Sequence, residues 1–144
     1  MLRAYVDSNI FVYSMFAHPI FGKACKKIID DLQIGVLQGI ASTLVPMEVM
    51  SVAIEHDPSK ADVTVTSMYS LPLTIVEISQ DILLLASNIA LKYSLSGYDA
   101  VHVATCLKSD TQTMISNDDE LKRVNEIKLI KPLDYEKLRK STEK

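Results

Sequence analysis

The chain has 144 residues, 48% hydrophobic and 23% charged, with a net charge of −3, proportions of an ordinary globular protein that exclude disordered, collagen-like and low-complexity classes. Four glycines form neither G-x-G-x-x-G nor G-x-x-x-x-G-K, the two common phosphate-cradling loops, and Cys25 and Cys106 are too few for a disulfide framework or a four-ligand zinc site. A chain of this length buries roughly 68% of its unfolded surface, so one domain over residues 1–144 is expected, with both cysteines as small buried residues.

Residues 2–6 form a short apolar run that stops at Asp7-Ser8-Asn9, as a buried strand followed by a cap would. Residues 10–16 lead to Phe21, Ala24, Ile28, Ile29 and Leu32, whose helical spacing among Lys and Asp residues predicts an amphipathic helix. Residues 36–41 read as a second strand. Ser42-Thr43 and Pro46 then announce a helix to Ile54, with Glu48 in its first turn. Residues 61–71 mix strand-forming Val and Thr with helical length, and length decides for helix. Residues 73–78 predict a third strand, and 81–93 and 98–107 two helices. A fourth strand over 113–116 ends in Asn117-Asp118-Asp119-Glu120, and a last one over 127–130 precedes Pro132 and a polar C-terminal helix. The longest apolar run, 82–86, is far short of the roughly 20 residues that span a membrane, and a cytoplasmic protein is expected.

Short strands alternating with helices predict an α/β fold with a mostly parallel sheet of about five strands, covered on both faces. Helices packed on such a sheet run against the strands and begin at the edge where strands end. Asp7 and Asp118 follow strand ends, and Glu48 and Asp99 open helices. All four are therefore expected at the carboxyl edge, where open parallel sheets bind ligands. Singly, each acid has a structural explanation: Asp7 as a helix cap, Glu48 and Asp99 as partners of helix dipoles, Asp118 as a solvated loop acid. Together they repel, by about 4 kcal/mol for two carboxylates about 4 Å apart at an effective dielectric near 20. The helix that Asp99 opens is apolar on nearly every face and so largely buried. Such a cluster needs protons or cations to persist.

All-oxygen donors favour Mg²⁺ or Mn²⁺ over zinc, and these ions assist water attack on phosphodiesters. Metal-assisted phosphodiester hydrolysis is the expected reaction. His102, one turn after Asp99, is a packed residue with one hydrogen bond, an outer partner of the acids, or a further ligand. His18 and His56 read as loop or helix-end residues, and neither Ser nor Cys forms a recognisable triad.

Tyr5-Val6-Asp7-Ser8-Asn9-Ile10-Phe11, Glu48 within a helix, Gly97-Tyr98-Asp99-Ala100-Val101-His102-Val103-Ala104-Thr105 and Ile115-Ser116-Asn117-Asp118, in this order, resemble the PIN-domain family and especially its VapC-type toxins. The resemblance covers essentially the whole chain. It implies a three-layer α/β/α sandwich, dimerisation, a Mg²⁺- or Mn²⁺-dependent ribonuclease acting on RNA, and an antitoxin partner that occludes the crevice. It also implies Asp7, Glu48, Asp99 and Asp118 as the acidic, metal-binding quartet, with Asn9 and Ser116 in supporting polar positions. Asp119 stands where many members have an aromatic residue and is the alternative to Asp118; the Ser-x-Asp spacing favours Asp118. A PIN nuclease of RNA processing and a catalytically silent PIN module that binds RNA or protein are the rival functions. The first more often carries further domains, and the second would lack an acid. A haloacid-dehalogenase-like phosphatase is disfavoured because Asn9 stands where its second acid belongs.

The charge is unevenly spread. Residues 1–120 hold seven Lys/Arg against fourteen Asp/Glu, and residues 121–144 hold eight against four. Lys122, Arg123, Lys128 and Lys131 are therefore the expected electrostatic contacts for an RNA backbone, or else a solvated face.

Overall fold

The computed structural model describes residues 2–142. Its five strands are β1 (Leu2–Val6), β2 (Leu37–Ser42), β3 (Leu73–Val76), β4 (Thr113–Ile115) and β5 (Lys128–Ile130), and its helices are α1 (Ser8–Met15), α2 (Gly22–Gln33), α3 (Leu44–His56), α4 (Ala61–Ser70), α5 (Gln80–Tyr93), α6 (Gly97–Lys108) and α7 (Tyr135–Ser141). All strand pairs are parallel, in the order β3-β2-β1-β4-β5.

This order makes a topological switch point. The chain steps outward from β1 through β2 to β3, then returns to lay β4 on the other side of β1. Right-handed crossovers put α1–α4 on one face and α5–α6 on the other, giving the three-layer sandwich; α5 packs on α6, α1 on α2 and α3, and α7 on α2. The core fills both interfaces, with Tyr5, Phe11, Ile28, Leu32, Met114, Leu121 and Tyr135 all fully buried. Cys25 and Cys106 are unpaired and buried, and burial pushes both thiols up to about 12. Among the described residues, no helix is long and apolar enough to cross a membrane.

The local chemistry explains the boundaries. Gly35 ends α2 in the left-handed region at φ 81°, with its N–H bonded to Leu32 O and that of Val36 to Asp31 O, a Schellman closure. Gly39 in β2 leaves space for Leu32 and Leu73, whose methyls would lie 2.5 and 2.7 Å from any Cβ there. Ser96 caps α6, its Oγ accepting from Asp99 N at 3.2 Å. The α7 segment is tied to α2 by Asp31, fully buried, which accepts from Tyr135 Oη at 2.7 Å and Arg139 Nε at 2.8 Å. Its other oxygen makes no hydrogen bond but lies 3.3 Å from Lys27 Nζ.

The expected elements all form, including the helix over residues 61–71, which runs Ala61–Ser70. Two local expectations are corrected. The third helix starts at Leu44, two residues before Pro46, so that Glu48 lies beyond its first turn; a proline at the third helical position removes an N–H that had no intrahelical partner. Residues 119–123 form a 3-10 turn capped by Asp118, where only a polar loop is expected from the sequence.

Candidate active site

The carboxyl ends of β1 and β4 lie side by side, with Val6 opposite Ile115, and Asp7 N continues the ladder to Ile115 O at 3.0 Å. Asp7 follows directly. It is buried and serves two purposes: Oδ1 accepts from Ser8 N at 2.7 Å, capping α1, while Oδ2 accepts from Ser116 Oγ at 2.6 Å and Asn9 Nδ2 at 3.4 Å. Asn9 Nδ2 also donates to Ser116 Oγ, and its Oδ1 accepts from Asn117 N. Ser116 Oγ in turn accepts from Asp118 N at 3.1 Å. Asn9 and Ser116 thus lace the β1 and β4 loops together around Asp7.

The acids fall into two adjoining groups. Asp7, Glu48 and His102 present ligand atoms within 4.8 Å of one another, and so do Asp99, Asp118 and Glu120. Asp99 joins them: its carboxyl is pushed up to about 6 by burial and by the nearby carboxyls of Asp118 and Asp7. All four acids picked from the sequence therefore lie at the carboxyl edge by the switch point, in these two adjoining groups, the place where an open sheet binds ligands. Glu120 is a member that sequence reasoning misses; it joins because the 3-10 turn folds it back, with its N–H on Asp118 Oδ1 at 2.9 Å.

Asp119 points elsewhere. It pairs with Lys131 and with Lys122 at 3.1 Å, and these two cations hold its carboxyl below the usual range. Lys131 Nζ also donates to Asn117 O at 2.8 Å, bracing the loop that carries Asp118. Arg123 donates to Ser94 O at 2.9 Å, and Lys128 opens β5 at the opposite, amino edge. Of the four cations expected beside the site, Lys122, Arg123 and Lys131 make contacts within the protein and Lys128 lies away from the acids.

His102 is 2% exposed and makes two strong contacts, with Nδ1 2.6 Å from Tyr5 Oη and Nε2 2.6 Å from Glu48 Oε1. Nε2 also lies 3.5 Å from Asp7 Oδ1. Burial opposes a charge on this ring, but Asp7, the hydrogen bond to Glu48 and Asp99 outweigh it and raise its pKa overall. The sequence pattern marks Tyr5 only as a buried strand residue; the polar tip of a buried tyrosine needs a partner, and that is the signal the sequence offers. His18 caps the turn before α2 through Ile20 N and Phe21 N, and His56 ends α3, both as expected.

The donor set suits a hard divalent cation: the four acids are oxygen donors, and His102 faces two of them, Asp7 and Glu48.

The family model of the PIN domain matches residues 4–127. The chain belongs to the PIN-domain family. No curated protein sequence matches it significantly. Among solved structures it is similar in fold to a toxin-antitoxin complex from Klebsiella pneumoniae, at 21% identity and TM-score 0.69 over 90% of this chain and 97% of that one. DNA-bound VapBC from Salmonella typhimurium is similar at 14% identity and TM-score 0.71, over 92% and 99%. VapC20 of Mycobacterium tuberculosis, described as a sarcin-ricin loop cleaving toxin, is similar at 15% identity and TM-score 0.70, over 83% and 92%. In this PIN chain the acids, and the two polar residues that orient Asp7, all lie within residues 4–127, which the family match spans.

Proposed function

We propose that this single PIN domain is a Mg²⁺- or Mn²⁺-dependent endoribonuclease and the toxin of a toxin–antitoxin pair. The observation that carries the reading is the convergence of Asp7, Glu48, Asp99 and Asp118 at the switch point, with ligand atoms of Asp99 and Asp118 within 4.8 Å of each other. These four residues would hold the metal. A bound divalent ion would supply Lewis acidity toward a phosphodiester and lower the pKa of a water nucleophile.

The protein's own groups do the rest. Ser116 and Asn9 fix the rotamer of Asp7, the Ser96 cap fixes the first turn of α6 and with it Asp99, and Lys131 holds the Asn117–Asp119 backbone in place. The toxin assignment is supported by structural neighbours described as toxin-antitoxin complexes and as a sarcin-ricin loop cleaving toxin. An antitoxin and a second copy of the chain are the expected protein partners, and exposed Leu83, Leu84 and Leu91 on α5 give apolar surface for such contacts. On this reading the protein acts in the cytoplasm.

Purified protein should cleave RNA with Mg²⁺ or Mn²⁺ and stop on chelation. Asp7→Asn and Asp99→Asn should each abolish cleavage while the circular dichroism spectrum stays that of the parent. Undiminished cleavage by either variant would overturn the assignment. A small upstream reading frame encoding a DNA-binding protein would separate the toxin from a nuclease of RNA processing.

A further inference from the structure

Two of the shortest side-chain contacts at the site belong to His102. Its Nε2 lies 2.6 Å from Glu48 Oε1, and an ionised carboxylate only accepts, so a hydrogen on Nε2 must fill that contact. In a neutral imidazole this leaves Nδ1 as a bare acceptor, and Tyr5 Oη stands 2.6 Å from it. Ser42 N–H already donates to the phenol oxygen at 3.1 Å. The phenol hydrogen is free to turn to Nδ1, the nearer of its two acceptors, Ser42 Oγ being at 3.1 Å. Burial keeps that phenol protonated. An imidazolium carries hydrogen on Nε2 as well, with the phenol turned to Ser42 Oγ, so the donor faces Glu48 in either form. The ring is 2% exposed and packs edgewise on Tyr5 at 62°.

We propose that Tyr5 and His102 are positioning residues that keep a hydrogen on His102 Nε2, so that the imidazole serves Glu48 as a standing donor and is withheld from the metal as a ligand. The inference rests on the proposed function, in which Glu48 faces the ion. Its chemical consequence is selectivity: an imidazole lone pair in this crevice would favour Zn²⁺, whereas oxygen donors alone favour Mg²⁺ and Mn²⁺. Asp7 Oδ1 lies 3.5 Å from the same nitrogen, so one ring stands between the acid after β1 and the acid of α3.

The direct test is the tautomer. Long-range ¹H–¹⁵N correlation on the metal-free, full-length protein should show His102 protonated at Nε2, and adding Mg²⁺ should leave that proton in place. A bare Nε2, or loss of its proton on adding Mg²⁺, would overturn the proposal. Calorimetric titration with Mn²⁺ gives the second readout. His102→Gln keeps an N–H near the Nε2 position and should bind within about threefold of the parent, whereas His102→Leu should lose about 10–100-fold. Equal affinity in the Gln and Leu variants would also overturn the proposal. Should the Leu variant fail to fold, the tautomer of the parent decides alone. Absence of Mn²⁺ binding to the parent would overturn the proposed function, while the tautomer would still decide whether His102 is a donor to Glu48.

Discussion

Ser116 Oγ donates to Asp7 Oδ2 at 2.6 Å and accepts from Asp118 N at 3.1 Å, so one hydroxyl couples the acid after β1 to the acid after β4. Ser116→Ala should leave the fold intact and lower both kcat/KM for RNA and Mn²⁺ affinity by about 10–100-fold, the usual cost of losing a group that orients a metal ligand. Steady-state cleavage and calorimetry on the same preparation check this; an unchanged Mn²⁺ affinity would mean that Asp7 does not need the hydroxyl.

Asp118 and Asp119 are adjacent but differently committed, the first facing Asp99 and the second held by Lys122 and Lys131. Asp118→Asn should reduce cleavage by at least about 100-fold. Asp119→Asn should retain activity within about threefold, because exposed ion pairs contribute little on their own. The reverse ranking would move the ligand to Asp119.

Without metal, stability should fall as pH rises. The folded Asp99 carboxyl titrates at about 6, against an ordinary aspartate value of 3.8. The folded protein therefore binds this proton more tightly than the unfolded chain does, and the stability it confers is lost between about pH 4 and pH 6. His102, also raised, contributes in the same direction: its stabilisation is present below its unfolded pKa and lost as pH passes the folded value. Thermal melts in chelator should therefore show a higher midpoint at pH 5 than at pH 7.5. Excess Mg²⁺ should narrow that difference, since a ligand that binds only the native state stabilises it.

Asp31 links α2 to α7 from a fully buried position. Asp31→Ala leaves Tyr135 Oη and Arg139 without that acceptor and should cost about 3 kcal/mol, toward the lower end for a broken buried pair because Arg139 keeps some solvent contact. Chemical denaturation reads the loss. Mn²⁺ affinity of the folded variant should be unchanged, because Asp31 lies in the last turn of α2, by the start of β2, at the amino edge of the sheet.

The sheet and the acidic crevice are legible in the sequence because both follow from local pattern. Short apolar runs mark the strands, Asp7 and Asp118 follow strand ends, Asp99 opens α6, and Glu48 lies in the second turn of α3, near enough to its start to reach the same edge. The Tyr5–His102–Glu48 contact is not legible: it depends on the side of the β1 pleat that Tyr5 takes and on how α3 and α6 are rotated over the sheet edge, neither of which sequence spacing specifies. The basic tail misleads for a related reason. Composition counts its cations without showing that Lys131 and Lys122 answer Asp119, or that Lys128 begins a strand whose other end faces the crevice.

The switch point has a temporal meaning as well as a spatial one. Asp7 and Ser116 are 109 residues apart, and β1 acquires its β4 neighbour only after β2, β3, α5 and α6 have been made. Until residue 118 has left the ribosome, Asp7 and Asp99 have neither Ser116 nor Asp118 beside them. A nascent chain therefore carries no assembled acidic centre until residues 116–118 have joined it, and on the proposed function it gains the means to cut RNA only then.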